Sequence, residues 1–118
     1  MRSEAIVALL EARRTSSGAA ARFLFAGTSP IFAGHFPGNP VVPGVLLCAA
    51  TLAALDSVEG GPRLLVAVDD AKFMAPIPPD QVCEVEVEIS PEVGGLCRCE
   101  ARWRIDDVMV ARLRLAFR

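Results

Sequence analysis

From Val82 to Phe117 apolar and polar residues alternate almost without interruption. Cys83, Val85, Val87 and Ile89 fall on one side, and Glu84, Glu86 and Glu88 on the other. After Gly94-Gly95, Cys97, Cys99, Ala101, Trp103 and Ile105 alternate with Arg98, Glu100, Arg102 and Arg104; after Asp106-Asp107, Met109, Ala111, Leu113, Leu115 and Phe117 alternate with Arg112 and Arg114. A period of two is that of a half-buried strand, and the two short polar breaks are turn signals. The pattern predicts three consecutive antiparallel strands with one greasy face. Trp103 belongs to that face and is expected in the core. On the other face, an acidic strand lies beside two basic ones; such cross-strand pairs contribute ~0.2–1 kcal/mol each and help to fix register. These charges are read as a solvated sheet face.

The period changes upstream. Residues 3–14 carry Ile6, Leu9 and Leu10 at i, i+3, i+4 spacing, which predicts a short amphipathic helix ending at Thr15-Ser16-Ser17-Gly18. Ala21 to Gly27, with Phe23 and Phe25, predicts a strand. Gly34 to Gly44 includes Pro37, Pro40 and Pro43, each with a fixed φ and no N–H donor, so a rigid loop is expected. Residues 44–57 are apolar on every side, which predicts a helix buried all round and stopped by Gly60-Gly61-Pro62. Leu64 to Met74 predicts a further strand, followed by a bend at Pro76-Ile77-Pro78-Pro79-Asp80. One apolar helix and about five strands with a greasy face have a simple packing solution: an α+β domain in which the sheet curls round the helix.

Composition narrows the class. The chain has 118 residues, 53 % of them hydrophobic and 22 % charged, with a mean hydropathy of +0.42. That suits one compact domain over residues 1–118 and argues against disorder. No apolar run reaches the ~18 residues of a membrane span. Met1-Arg2-Ser3-Glu4 does not open a secretory signal, so a cytoplasmic protein is expected. A net charge of -2 offers no basic field for nucleic acid. One histidine, and four cysteines without a CxxC pair, leave little for a metal site; buried free thiols are the better reading.

The single histidine stands in the proline-rich loop. His35 is the side chain whose ordinary pKa permits proton transfer near neutral pH. Pro43-Gly44 leads from that loop into the start of the apolar helix, where backbone N–H groups lack acceptors and the helix dipole is positive. Glycine there admits a substrate oxygen without a Cβ in the way. A base and an oxyanion donor joined by a stiff loop suit proton abstraction next to a carbonyl group. The bland alternative is a histidine that bonds to backbone in a tight loop.

The stretch Phe32-Ala33-Gly34-His35-Phe36-Pro37-Gly38-Asn39-Pro40-Val41-Val42-Pro43-Gly44-Val45-Leu46 closely resembles the signature of the 3-hydroxyacyl-[acyl-carrier-protein] dehydratases. Ala71-Lys72-Phe73-Met74-Ala75-Pro76-Ile77-Pro78-Pro79-Asp80-Gln81-Val82 is similar to a second segment of that family, and the likeness runs over about residues 21–117. The resemblance implies a hot-dog fold, an antiparallel sheet wrapped around a central helix at about 44–57. It implies that a 3-hydroxyacyl thioester loses water to give the trans-2-enoyl thioester, or gains it in reverse, in fatty acid or related polyketide or polyene biosynthesis. His35 would take the C2 proton and the Gly44 N–H would hold the thioester oxygen. Phe36, Pro37, Gly38, Pro43, Val45 and Ala49 would line the substrate channel. No cofactor is implied beyond the phosphopantetheine arm of the acyl carrier protein, the expected partner, with Arg63 and Lys72 as candidate docking cations. A homodimer with the helix near its interface is expected; a trimer of dimers or a heterodimer are the other assemblies.

One position departs from the family pattern. Dehydratases of this family carry Glu or Asp fourteen residues after the histidine, and here that residue is Ala49. Asp56, two helical turns on, lies ~10 Å further along the axis. Two alternatives follow: a non-catalytic acyl-thioester-binding subunit of a heterodimeric dehydratase, or a thioesterase on the same fold. Cys48, in the same apolar run, is expected to be inert because burial raises a thiol pKa.

Overall fold

The computed structural model describes residues 7–26 and 42–118. Its strands are β1 (Val7–Arg14), β2 (Gly18–Phe25), β3 (Leu65–Phe73), β4 (Val82–Val93), β5 (Leu96–Ile105) and β6 (Val108–Phe117), with one helix, α1 (Gly44–Glu59), between β2 and β3. They form one antiparallel sheet in the order β1-β2-β4-β5-β6-β3. The inward sets of β4, β5 and β6 are those the alternation marks: Cys83, Val85, Val87, Cys99, Ala101, Trp103, Leu113 and Leu115 are all buried. Gly94, Gly95, Asp106 and Asp107 take positive φ, as tight hairpin turns between twisted strands require. Outside, Glu84 lies opposite Arg104 and Glu86 opposite Arg102. The ion pairs run diagonally, Arg104 to Glu86 at 2.7 Å and Arg102 to Glu88 at 2.6 Å.

The N-terminal segment departs from the sequence expectation. It is strand β1, paired with β2, and not an amphipathic helix. Its register shifts between Leu9 and Glu11, and this irregularity puts two leucines in succession where a regular strand would alternate. The spacing imitates a helix, but the open edge of β2 supplies the ladder that settles the matter.

Helix α1 stops where Gly60 takes φ 80° and donates its N–H to the Asp56 carbonyl at 2.9 Å. The expectation that it is buried all round needs correction for the single chain. Leu47, Cys48, Ala50, Thr51, Leu52, Ala54 and Leu55 are buried, whereas Ala49, Ala53 and Val45, 71 % exposed, form an open stripe at i, i+4, i+8. The helix packs against β1, β2 and β4. At the edge of the sheet opposite β1, every residue of β3 is exposed, including Leu65, Val66, Val68 and Phe73.

Thr51 anchors the helix to the sheet. Its buried hydroxyl donates to the Leu47 carbonyl at 2.8 Å and accepts from Trp103 Nε1 at 3.1 Å. Trp103 itself packs on Phe23 and Phe25, with ring centroids 5.5 and 6.1 Å away. Thr51→Val keeps the shape but leaves the indole N–H without its acceptor, so it is expected to cost ~1–3 kcal/mol in urea unfolding. A loss within error would show that the bond contributes nothing net.

At the far end of α1, Arg63 donates to Asp56 at 2.9 Å, to Glu59 at 3.0 Å and to the Gly60 carbonyl at 2.6 Å. Arg14 donates to the Val58 carbonyl at 2.6 Å. The two guanidinium groups thus satisfy carbonyls at the helix C-terminus, where positive charge is favourable. Arg63 is occupied by this clamp and is not an open docking cation, as its charge alone suggested. Lys72 remains exposed on β3.

Candidate active site

Of the residues expected at the site, His35, Phe36, Pro37 and Gly38 lie outside the described residues. Pro43, Gly44, Val45 and Ala49 are described, and all four belong to the start and the open face of α1. Pro43 is the N-cap, with φ -63° and ψ 141°, and no side chain caps the helix. Proline enters a helix readily because its fixed φ suits the first turn. The Leu46 N–H reaches the Pro43 carbonyl at 3.0 Å. The first turn therefore presents backbone N–H groups at the positive end of the dipole, an arrangement that favours an anionic oxygen.

The two segments singled out in the sequence meet at this point. The Val42 N–H donates to the Ile77 carbonyl at 2.9 Å, tying the entry of α1 to the proline-rich bend after β3. Both residues are buried. The bend is held in turn by the Asp80 N–H on the Phe25 carbonyl at 2.8 Å. Gly44 is thus fixed from the bend below it, not only from its own helix. Phe73, the last residue of β3, lies against Gly44. Sequence reasoning gave Phe73 no role; the only signal was its place in the second segment.

The other groups nearby are poor nucleophiles. Burial pushes the Cys48 thiol up, the Cys83 thiol up to about 11 and the Cys99 thiol up to about 12. All four cysteines are free, and Cys97 is the one that is not buried. Iodoacetamide at neutral pH is expected to modify Cys97 first in the native protein, with Cys48, Cys83 and Cys99 protected until unfolding. Equal labelling of all four, read by mass spectrometry, would contradict the burial. The same shifts set a sign: the unfolded chain ionises these thiols from about pH 9, so stability falls as pH rises from there toward the folded values near 11 and 12. Asp56 is held by Arg63 at 2.9 Å, and seven residues of helical rise put it ~10 Å along the axis from Ala49. No cluster of three metal-ligating side chains occurs among the described residues. A groove of about 360 Å³ on the outer face is lined by Glu11, Arg13, Arg22, Glu86 and Arg104 and includes no residue of α1. It is a gap among solvated ion pairs.

Comparison with known proteins places this arrangement. The family model described as ApeI-like, ApeI dehydratase, matches residues 11–107. The chain belongs to the ApeI-like dehydratase family. Its curated relatives include the 3-hydroxyacyl-[acyl-carrier-protein] dehydratase FabZ of Zymomonas mobilis, 36 % identical over 91 residues that cover 70 % of this chain and 58 % of the relative. FabZ of Caulobacter sp. strain K31 is 35 % identical over 96 residues, covering 74 % of this chain and 59 % of that protein. The chain therefore spans less than two thirds of the length of these relatives. Among solved structures, a chain of the dehydratase heterocomplex ApeI:P from Xenorhabdus doucetiae superposes with a TM-score of 0.74 at 16 % identity, over 93 % of this chain and 96 % of that one. A hypothetical thioesterase from Streptococcus pneumoniae solved with coenzyme A gives 0.67 at 10 % identity, over 94 % and 86 %. At such identities the likeness is one of fold: the ApeI-like chain has the hot-dog fold.

Proposed function

We propose that this ApeI-like chain dehydrates a 3-hydroxyacyl group carried as a thioester on the phosphopantetheine of an acyl carrier protein. His35 takes a proton from C2 while the Gly44 N–H holds the thioester oxygen as it gains enolate character. The C2–H and C3–O bonds break, C2=C3 forms, and the hydroxyl leaves as water. With alanine at position 49 the proton for that hydroxyl comes from the His35 imidazolium, on the same face of the substrate. The observation that carries this reading is the uncapped start of α1 at Pro43-Gly44, fixed by the Val42–Ile77 bond. Family membership and the FabZ relatives support it.

The active form contains two chains. Support comes from the open Val45–Ala49–Ala53 stripe and from β3, an edge strand whose exposed apolar residues no other element among the described residues covers. A second copy fits both surfaces. A related hot-dog chain that brings its own carboxylate opposite Ala49 is the second reading, favoured by the lack of any acid on this stripe; ApeI of Xenorhabdus doucetiae occurs in a heterocomplex. The place of action we infer is the cytoplasm.

One experiment addresses reaction and assembly together. The purified chain, sized by light scattering, is given 3-hydroxybutyryl-carrier protein and the products are weighed by mass spectrometry. Loss of 18 mass units with the thioester intact is expected from a dimer. Release of free hydroxy acid would favour a thioesterase, and a monomer at micromolar concentration would remove the two-chain site. Turnover that begins only on adding an acid-bearing homologue would establish the heterodimer.

A further inference from the structure

The contact between Phe73 and Gly44 has a consequence for which substrates can enter. A Cβ built on Gly44 would stand 2.7 Å from Cζ of the Phe73 ring, 3.3 Å from Cε1 and 3.5 Å from Cε2. The ring tip thus fills the space that any side chain at position 44 would take. Both partners are held from behind. Phe73 pairs with Ala111 of β6, and the next two N–H groups, of Met74 and Ala75, both donate to the Val110 carbonyl at 2.8 and 3.3 Å. Gly44 follows the Val42–Ile77 bond. Yet 55 % of Phe73 remains exposed, so the ring has apolar surface free to meet whatever sits at the start of α1.

We propose that Phe73 is a specificity-determining residue that limits the bulk a substrate carries on the carbon next to its thioester carbonyl. The proposal rests on the dehydratase reading, in which that carbonyl oxygen bonds to the Gly44 N–H. An acceptor so held lies ~2.9 Å from the nitrogen. Its neighbouring carbons then pass beside the Gly44 Cα, where the ring already stands. An unbranched acyl group passes; a methyl group on C2 directed toward the ring does not. A single methylene in a tight apolar site changes selectivity by roughly 10–200-fold. Gly44 accordingly serves two ends, since it admits both the oxygen and the ring.

The test compares 3-hydroxybutyryl- with 2-methyl-3-hydroxybutyryl-carrier protein on the wild type, Phe73→Ala and Phe73→Leu. The wild type is expected to favour the unbranched thioester by tenfold or more in kcat/KM. Phe73→Ala is expected to erase most of that preference, chiefly through KM for the branched substrate, with kcat for the unbranched one within a few-fold. Phe73→Leu should keep much of the preference. An unchanged ratio in folded Phe73→Ala, or an equal loss on both substrates, overturns the proposal. A second readout follows the Gly44 amide signal by NMR on adding butyryl- or 2-methylbutyryl-pantetheine. If the unbranched ligand alone shifts it in the wild type and both do in Phe73→Ala, the proposal stands even without turnover, and only the dehydratase reading fails. No shift with either ligand overturns the proposal.

Discussion

His35→Ala is expected to lower the dehydration rate by ~10²–10⁴-fold, the range over which a positioned acid–base group contributes. In this chain the effect should lie toward the upper end, because the proposed mechanism has His35 both take the C2 proton and return one to the leaving hydroxyl. Ala49 offers no second group to share that work. Folding should be nearly unaffected, since the proposed role puts His35 beside the substrate, and a side chain so placed leaves no void in a packed core when it is shortened. The measurement is the rate of enoyl-carrier-protein formation or hydration, followed by mass spectrometry, with circular dichroism as the control for folding. Activity within a few-fold of the wild type in a folded variant would move the chemistry to another residue.

The second large effect is expected from Ala49→Glu. Ala49 is exposed on α1, between Val45 and Ala53 on the open stripe. From sequence alone, the apolar run around it suggests a costly burial for a carboxyl group. In the single chain that cost is absent: an exposed helical substitution of this kind changes stability by about 0.5 kcal/mol or less. Burial arises only when a second chain covers the stripe, and there desolvation would raise the carboxyl pKa and keep it protonated for donation. The expected outcome is a faster dehydration, by up to ~10²–10⁴-fold if acid supply limits the rate. The gain should fade as pH rises through the raised pKa, because only the protonated form donates. Light scattering must show the same assembly as the wild type. A folded variant that assembles, binds carrier protein and gains nothing would show that the site is not shaped for a 3-hydroxyacyl group.

Most of the sheet was legible from residue order because a strand writes its two faces as a period of two. The Cys83–Val87 and Leu113–Phe117 sets needed no tertiary information, nor did the turns at Gly94-Gly95 and Asp106-Asp107. The start of α1 at Gly44 and its stop at Gly60 were equally plain, since proline and glycine act through their own backbone. The residues proposed for the site come from the same reading: one histidine, one proline-glycine entry to a helix, and an alanine where the family pattern has an acid.

Residue order thus carries the local grammar of the chain: strand faces, turns and the helix. Tertiary structure decided the rest, because each remaining question concerns which separate segments touch. The β1 segment has a helical spacing and became a strand only because β2 offered it hydrogen-bond partners. Helix α1 is apolar all round, but the face left open depends on where β1, β2 and β4 meet it, and that placement put Ala49 on the outside. Arg63 looked like a free cation until the fold brought it to Asp56 and Glu59. Phe73 and Gly44 are far apart along the chain, and their contact exists only because β3 ends beside the start of α1. Periodicity reports which way a residue faces; only packing reports what it faces.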